Sequence, residues 1–278
     1  MTMTAELEVE LEGLSDVEAT IDFTNPKDFT ETLQAHIHNA RNSDPTGDHI
    51  VLVTGFPNTF FTTEDDERRL IPVSHKALYL RDTQTLLLTM PGGPHELTAM
   101  HFNDRLAMKL DVMGCYEEIF NFGQETVSIG SVSKEPDNSW GATRSYATCV
   151  LECAVSQSGR SLRCNAKIWL EQEESKVSQV ITINVNRRRP EIVFIVWKRR
   201  REQLQTRASP LCAVVDQVVH ITLQARRPVA EGMLRLSFEE FFERKPQPGT
   251  REGDLFFSTR ELEAIARKVW GKMEFDME

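Results

Sequence analysis

Two acidic residues stand where their chemistry draws attention. Glu152 lies inside VLECAV (150–155), an apolar run that reads as a strand. A carboxylate there needs a cation, a hydrogen-bond donor or a raised pKa. Asp137 follows Pro136, just after a strand and turn. Neighbouring strands that brought these acids together would form an oxygen-rich site of the kind that holds Mg²⁺. A metal held so activates water and neutralises charge on a phosphodiester. The plainer alternative is that Glu152 faces water from an edge strand, because alternate strand residues face opposite ways. Residue types and spacing leave both readings open.

Other chemistries fit less well. No phosphate-binding G-x-x-x-x-G-K-[ST] loop, G-x-S-x-G elbow or G-x-G-x-x-G fingerprint occurs. The five cysteines contain no C-x-x-C pair, and no histidine near Cys149 and Cys153 completes a zinc pattern, so buried reduced thiols are expected. His95 reads as a helix-start residue, Trp169 and Leu170 as core packing, and Asp65-Asp66-Glu67 as a solvated loop cluster. Arg187-Arg188-Arg189 and the basic run from Lys198 and Arg199 to Arg201 flank one strand-like run. Such clusters either position a phosphate backbone or are solvated strand ends.

The elements that would position these residues follow from periodicity. A helix is expected after Pro26, and a strand at 49–55. Strands at 76–80 and 83–90 suggest a hairpin, stopped by Pro91-Gly92-Gly93-Pro94. In the helix at about 95–113, Leu97, Met100, Leu106, Leu110 and Met113 recur at core-facing spacing. From 145 to 198 the order is strand, helix, strand, strand: a βαβ crossover and then a hairpin. Ser158 is a candidate N-cap for its helix. The last helix opens with the capping box Ser258-x-x-Glu261.

GGPHE (92–96), EPDNSW (135–140), VLECAVSQS (150–158), LRCNAKIWL (162–170) and VITINVNRR (180–188) together resemble a fungal PD-(D/E)XK nuclease-like family of the restriction-endonuclease-like superfamily. LRLSFEEFF (234–242) and GDLFFSTRELEAIARKVW (253–270) look like its closing strand and helix. The resemblance implies an α/β fold: a restriction-endonuclease-like core with a central mixed β-sheet flanked by helices. It makes Asp137 the acid of the PD element, Glu152 the first acid of (D/E)XK, and Glu96 the helical acid, with Mg²⁺ as the metal. The chain departs from the pattern at Ala154, where the XK lysine would stand, and at Gln157 and Asn165, where the family usually carries acids. Lys167 on the following helix could supply the missing lysine.

The expected division is 1–90 as an N-terminal extension of strands and a helix, and 91–278 as the core. The expected ligands are Asp137 and Glu152, with Glu96 orienting water or metal and Lys167 stabilising phosphate charge. Nucleic acid would lie along Arg187, Arg188, Arg189, Lys198 and Arg199. The competing expectation is a non-enzymatic protein-interaction module, favoured by the missing lysine and by a formal net charge of −10. With 40% hydrophobic residues and no run of eighteen apolar ones, an ordinary globular chain without a transmembrane helix is expected. The acidic start lacks the features of a secretory signal, which points to an intracellular protein.

Overall fold

The computed structural model describes residues 16–61, 70–71, 75–156, 159–201 and 210–278. The first part contains β1 (Val17–Asp22), α1 (Pro26–Ser43), β2 (His49–Thr54), the short α2 (Asn58–Phe61), β3 (Lys76–Leu80), β4 (Thr85–Met90) and α3 (Gly93–Met113). Next come β5 (Phe120–Asn121), β6 (Val127–Ile129), β7 (Val132–Lys134), β8 (Asn138–Gly141), β9 (Cys149–Ser156), α4 (Arg160–Glu171) and β10 (Gln179–Asn186). The chain closes with β11 (Glu191–Arg201), β12 (Leu211–Gln224), β13 (Arg227–Ala230), β14 (Leu234–Leu236), α5 (Phe238–Phe242), β15 (Leu255–Phe257) and α6 (Thr259–Lys272).

Helix starts follow local chemistry. Asn25 accepts from the Asp28 N–H to open α1, with Pro26 in the first turn, where a missing N–H costs nothing. Ser258 and Glu261 form the expected reciprocal capping box on α6. α4 instead begins after Gly159, whose φ of 63° suits glycine. The candidate cap Ser158 lies outside the described residues, as do Gln157 and Asp65-Asp66-Glu67.

The fold is α/β, with mixed sheets flanked by helices. The first sheet has the order β1-β2-β4-β3-β7-β6, the second β13-β12-β11-β10-β9-β8-β5. β1 and β2 run parallel across α1, and β9 and β10 run parallel across α4. The other pairs in these two sheets are antiparallel, including the expected β3–β4 and β10–β11 hairpins. Two sheets therefore replace the single central sheet expected, and β6 and β7 complete the one that begins before residue 90.

Strand parity explains the layering. Val51, Val53, Tyr79, Leu86 and Leu88 pack with Phe29 and Leu33 of α1. The opposite parity of β3, β4 and β7 sends Leu78, Leu80, Leu87 and Val132 against Cys164 and Ile168 of α4. Ala166, Trp169 and Leu170 of α4 meet Val150, Val180 and Trp197 of the second sheet. α4 is thus held between the sheets. The far face of the second sheet buries Leu151, Ile181, Phe194 and Val196 against α3, α5 and α6. Each such side chain removed from water contributes roughly 1.5–3 kcal/mol.

On α3, Leu106 and Leu110 are buried, and Leu97 and Met113 pack at the core margin. Met100, expected to face the core, is 48% exposed. The helix carries apolar residues on more than one side, so periodicity alone assigned Met100 to the wrong one. All five cysteines are reduced, four of them buried. Among the described residues no helix is long and apolar enough to cross a membrane.

Candidate functional site

β9 is an interior strand between β8 and β10, so Glu152 does not face solvent from an edge. Asn138, the first residue of β8, stands opposite Leu151, and Glu152 is the next residue of β9. That register brings Asp137, just before β8, alongside Glu152. Both acids are buried, and both line one cavity of about 70 Å³ between the sheets.

Each acid is surrounded by donors from its own chain. Asp137 Oδ1 is contacted by Lys76 Nζ and lies 2.8 Å from His95 Nε2. Its Oδ2 accepts from the Cys153 backbone N–H. Glu152 Oε1 accepts from Trp169 Nε1 at 2.5 Å and lies 3.3 Å from Lys134 Nζ. Its Oε2 accepts from Asn165 Nδ2 at 3.3 Å. A third buried acid, Asp48, completes the group. Its Oδ2 lies 2.8 Å from His95 Nδ1 and accepts from the Val155 N–H at 2.7 Å, while Oδ1 accepts from the Gly92 N–H at 2.9 Å.

The layers place these groups. Lys76 shares strand parity with Leu78 and Leu80, and Lys134 with Val132, so both lysines enter the space shared with α4. His95 sits in the first turn of α3, whose N-terminus fits against residues 46–48 because residue 92 is glycine. A Cβ there would lie 2.4 Å from the Thr46 carbonyl oxygen.

Burial works to raise the Asp48 pKa, but the charge and hydrogen bond of His95 and two backbone N–H groups hold it below the usual carboxylate value. Burial pushes Lys76 below the ordinary lysine value, although nearby negative charge, including Glu152, Glu96 and Asp48, opposes that shift. Burial also raises the Cys153 thiol. Asp48, Asp137 and Glu152 face Lys76, Lys134 and His95 there, and Glu135 also lines the cavity.

This donor set does not fit Mg²⁺ as it stands. A divalent cation there would stand against the Lys76 and Lys134 ammonium groups, which already contact Asp137 and Glu152. The single convergence of three metal-capable groups among the described residues lies elsewhere, at Cys115, Glu118 and Glu252. There Arg244 already supplies the cation, at 2.7 and 2.9 Å from Glu252 and 2.8 Å from Glu118.

The other expected site residues are placed differently. Glu96 is exposed, and its neighbour His95 turns into the cavity. Lys167 is partly buried and does not line the cavity, where α4 contributes Ser161, Cys164 and Asn165. Arg187 is 2.6 Å from Asp44 and 3.4 Å from Glu18. Lys198 is buried between Asp216 and Glu240, at 3.2 and 3.3 Å. Arg199 donates to the carbonyls of Leu170 and Ser175. Arg188 is exposed, and the exposed Arg189 pairs with Glu191 at 3.3 Å. Sequence reasoning passed over Lys76, Lys134 and Asp48. Their signal was a charge on the core-facing parity of a strand, or beside an apolar strand, as in GDHIVLV (47–53).

No family model matches the chain, and no curated protein matches it.

Proposed function

We propose that this chain is a PD-(D/E)XK-derived protein with a restriction-endonuclease-like core, and that it works by binding a protein partner, not by metal-dependent hydrolysis. Support for the ancestry comes from order and placement: an acid before β8, a second within β9, and a helical crossover into parallel β10. The observation that carries the loss of hydrolysis is that a lysine of the chain already stands at each acid, Lys76 at Asp137 and Lys134 at Glu152. Asn165 fits the same reading. An amide there donates to Glu152, where a carboxylate would repel it.

A protein partner is favoured over nucleic acid by charge. The net charge is −10, and Arg187, Lys198 and Arg199 are held by acids or carbonyls of the chain itself. Of the exposed members, Arg189, Arg200 and Arg201 each pair with an acid of the chain, which offsets their attraction to phosphate. The competing reading is a Mg²⁺-dependent phosphodiesterase with Asp137 and Glu152 as ligands, and it draws support from their shared cavity.

A cleavage assay separates the two. Single- and double-stranded DNA, RNA and a nitrophenyl phosphodiester are incubated with the full chain and Mg²⁺ or Mn²⁺. The expected result is no turnover above that of Asp137→Asn. Metal-dependent turnover that Asp137→Asn abolishes would overturn the proposal.

A further inference from the structure

We infer that residues 274–278 lie as a strap on a peptide-binding surface formed by the end of α6 and the β12–β13 hairpin. The partner for that surface is a protein segment of the strap's own chemistry, extended and alternating apolar with acidic residues. From Met273 onward the alternation has a period of two. Met273, Phe275 and Met277 pack against the core, while Glu274, Asp276 and Glu278 are exposed. The hairpin meets the strap with two bases: Arg226 pairs with Asp276, and Arg227 lies 3.3 Å from Glu278. The Glu278 N–H donates to the Arg226 carbonyl at 3.1 Å. Met277 reaches Gly271 of α6, where a Cβ would lie 3.9 Å from its methyl carbon. The Ala230 N–H donates to Glu263 of α6 at 3.2 Å, so helix and hairpin form one frame.

The strap is held loosely enough to be exchanged. The side chains of one ion pair are 52% and 82% exposed, those of the other 70% and 51%. Pairs so open to water contribute little. Glu274 has a φ of 60°, at the position after a helix where glycine usually makes the left-handed turn. Ala225 and Arg226, the two turn residues of the hairpin, have φ of 45° and 62° in a turn that favours Asn-Gly. Of the five non-glycine residues with positive φ among the described ones, three lie at this contact. Backbone strain of that kind gathers where a structure binds or switches. What the surface holds defines what it accepts. It offers two arginines for acids at alternate positions, an apolar margin for the residues between them, and a backbone carbonyl for an extended chain. The strap competes through its short connection, which gives it a high effective concentration.

This inference deepens the binding reading above by naming the kind of partner, and it rests on that reading. The probe is a fluorescein-labelled peptide with the sequence of residues 272–278, added to the full chain and followed by anisotropy. The wild-type chain should bind it weakly, because the strap competes. Asp276→Lys combined with Glu278→Lys drives the strap off Arg226 and Arg227, and should bind the peptide about tenfold more tightly. Phe275→Ala loosens the apolar half of the strap and should shift the affinity in the same direction. Adding Arg226→Glu and Arg227→Glu to the lysine variant restores the strap's pairing with reversed charge, and should abolish the gain. Unchanged affinity in either strap variant, or a gain that survives the arginine changes, would overturn the inference. Such a failure leaves the cleavage result unaffected, whereas metal-dependent cleavage would remove the paired-acid reading without changing the peptide titration.

Discussion

His95 Nε2 lies 2.8 Å from Asp137 Oδ1. The other nitrogen of the same ring lies 2.8 Å from Asp48 Oδ2, so one imidazole joins the residue before β2 to the residue before β8. With both acids ionised, both ring nitrogens donate. His95→Ala would leave two buried carboxylates short of a partner. Breaking a buried pair in this way costs about 3–5 kcal/mol, read as a lower midpoint in urea unfolding. A variant within 1 kcal/mol of wild type would mean that His95 does not hold the sheets together.

Glu152 depends on its indole partner in the same manner. Trp169 is fully buried, and Phe in its place keeps most of the ring volume but removes the N–H that reaches Glu152 Oε1. Trp169→Phe should cost about 1–3 kcal/mol. In a double-mutant cycle with Glu152→Ala, which removes the acceptor, the two losses should fall short of additivity. Strict additivity would show that the hydrogen bond contributes nothing.

Acid stability follows from Asp48. Its folded pKa lies below its ordinary value, so the unfolded chain binds the proton more readily. The stabilisation is present above the unfolded value and is lost as pH falls through the folded one. Below about pH 4, the loss of stability should be less steep in Asp48→Asn than in wild type. Chemical denaturation at several acid pH values measures this, and equal slopes in the two proteins would refute it.

Gly92 is fixed by a close approach. A methyl group there would lie 2.4 Å from the Thr46 carbonyl oxygen, and the Gly92 N–H donates to Asp48. The backbone must move to admit a side chain, so Gly92→Ala should destabilise by roughly 1–3 kcal/mol. Gly55 has open space around its Cβ position but a φ of 66°, so Gly55→Ala tests conformational strain without the clash.

The sequence carried the elements more clearly than their partners. The apolar run in HIVLVT, the β-branched VITINVN, the Ser258–Glu261 capping box and Pro26 near a helix start all led to elements found in the structure. The joining of β6 and β7 to β3 was not legible, because strand pairing between distant segments leaves no local pattern. Asp137 and Glu152 were readable as out-of-place acids, but their cations were not. Lys76 begins KALYL and Lys134 ends VSK, and only the strand parity that points them inward separates them from surface lysines. His95 and Glu96 are adjacent on a helix and so point about 100° apart. Glu96 was named because the resemblance calls for an acid at the helix start, whereas the side chain that turns inward is the imidazole before it.

On the proposal above, the chain's own bases neutralise Asp137 and Glu152 and leave no place for a divalent ion. Thermal unfolding across a Mg²⁺ and Mn²⁺ titration tests it most directly. A site filled at one hundred times its Kd would add about 2.7 kcal/mol, roughly 5–10 °C in Tm. No saturable rise is expected in the wild-type chain. A rise that saturates with metal and disappears in Asp137→Ala would contradict it.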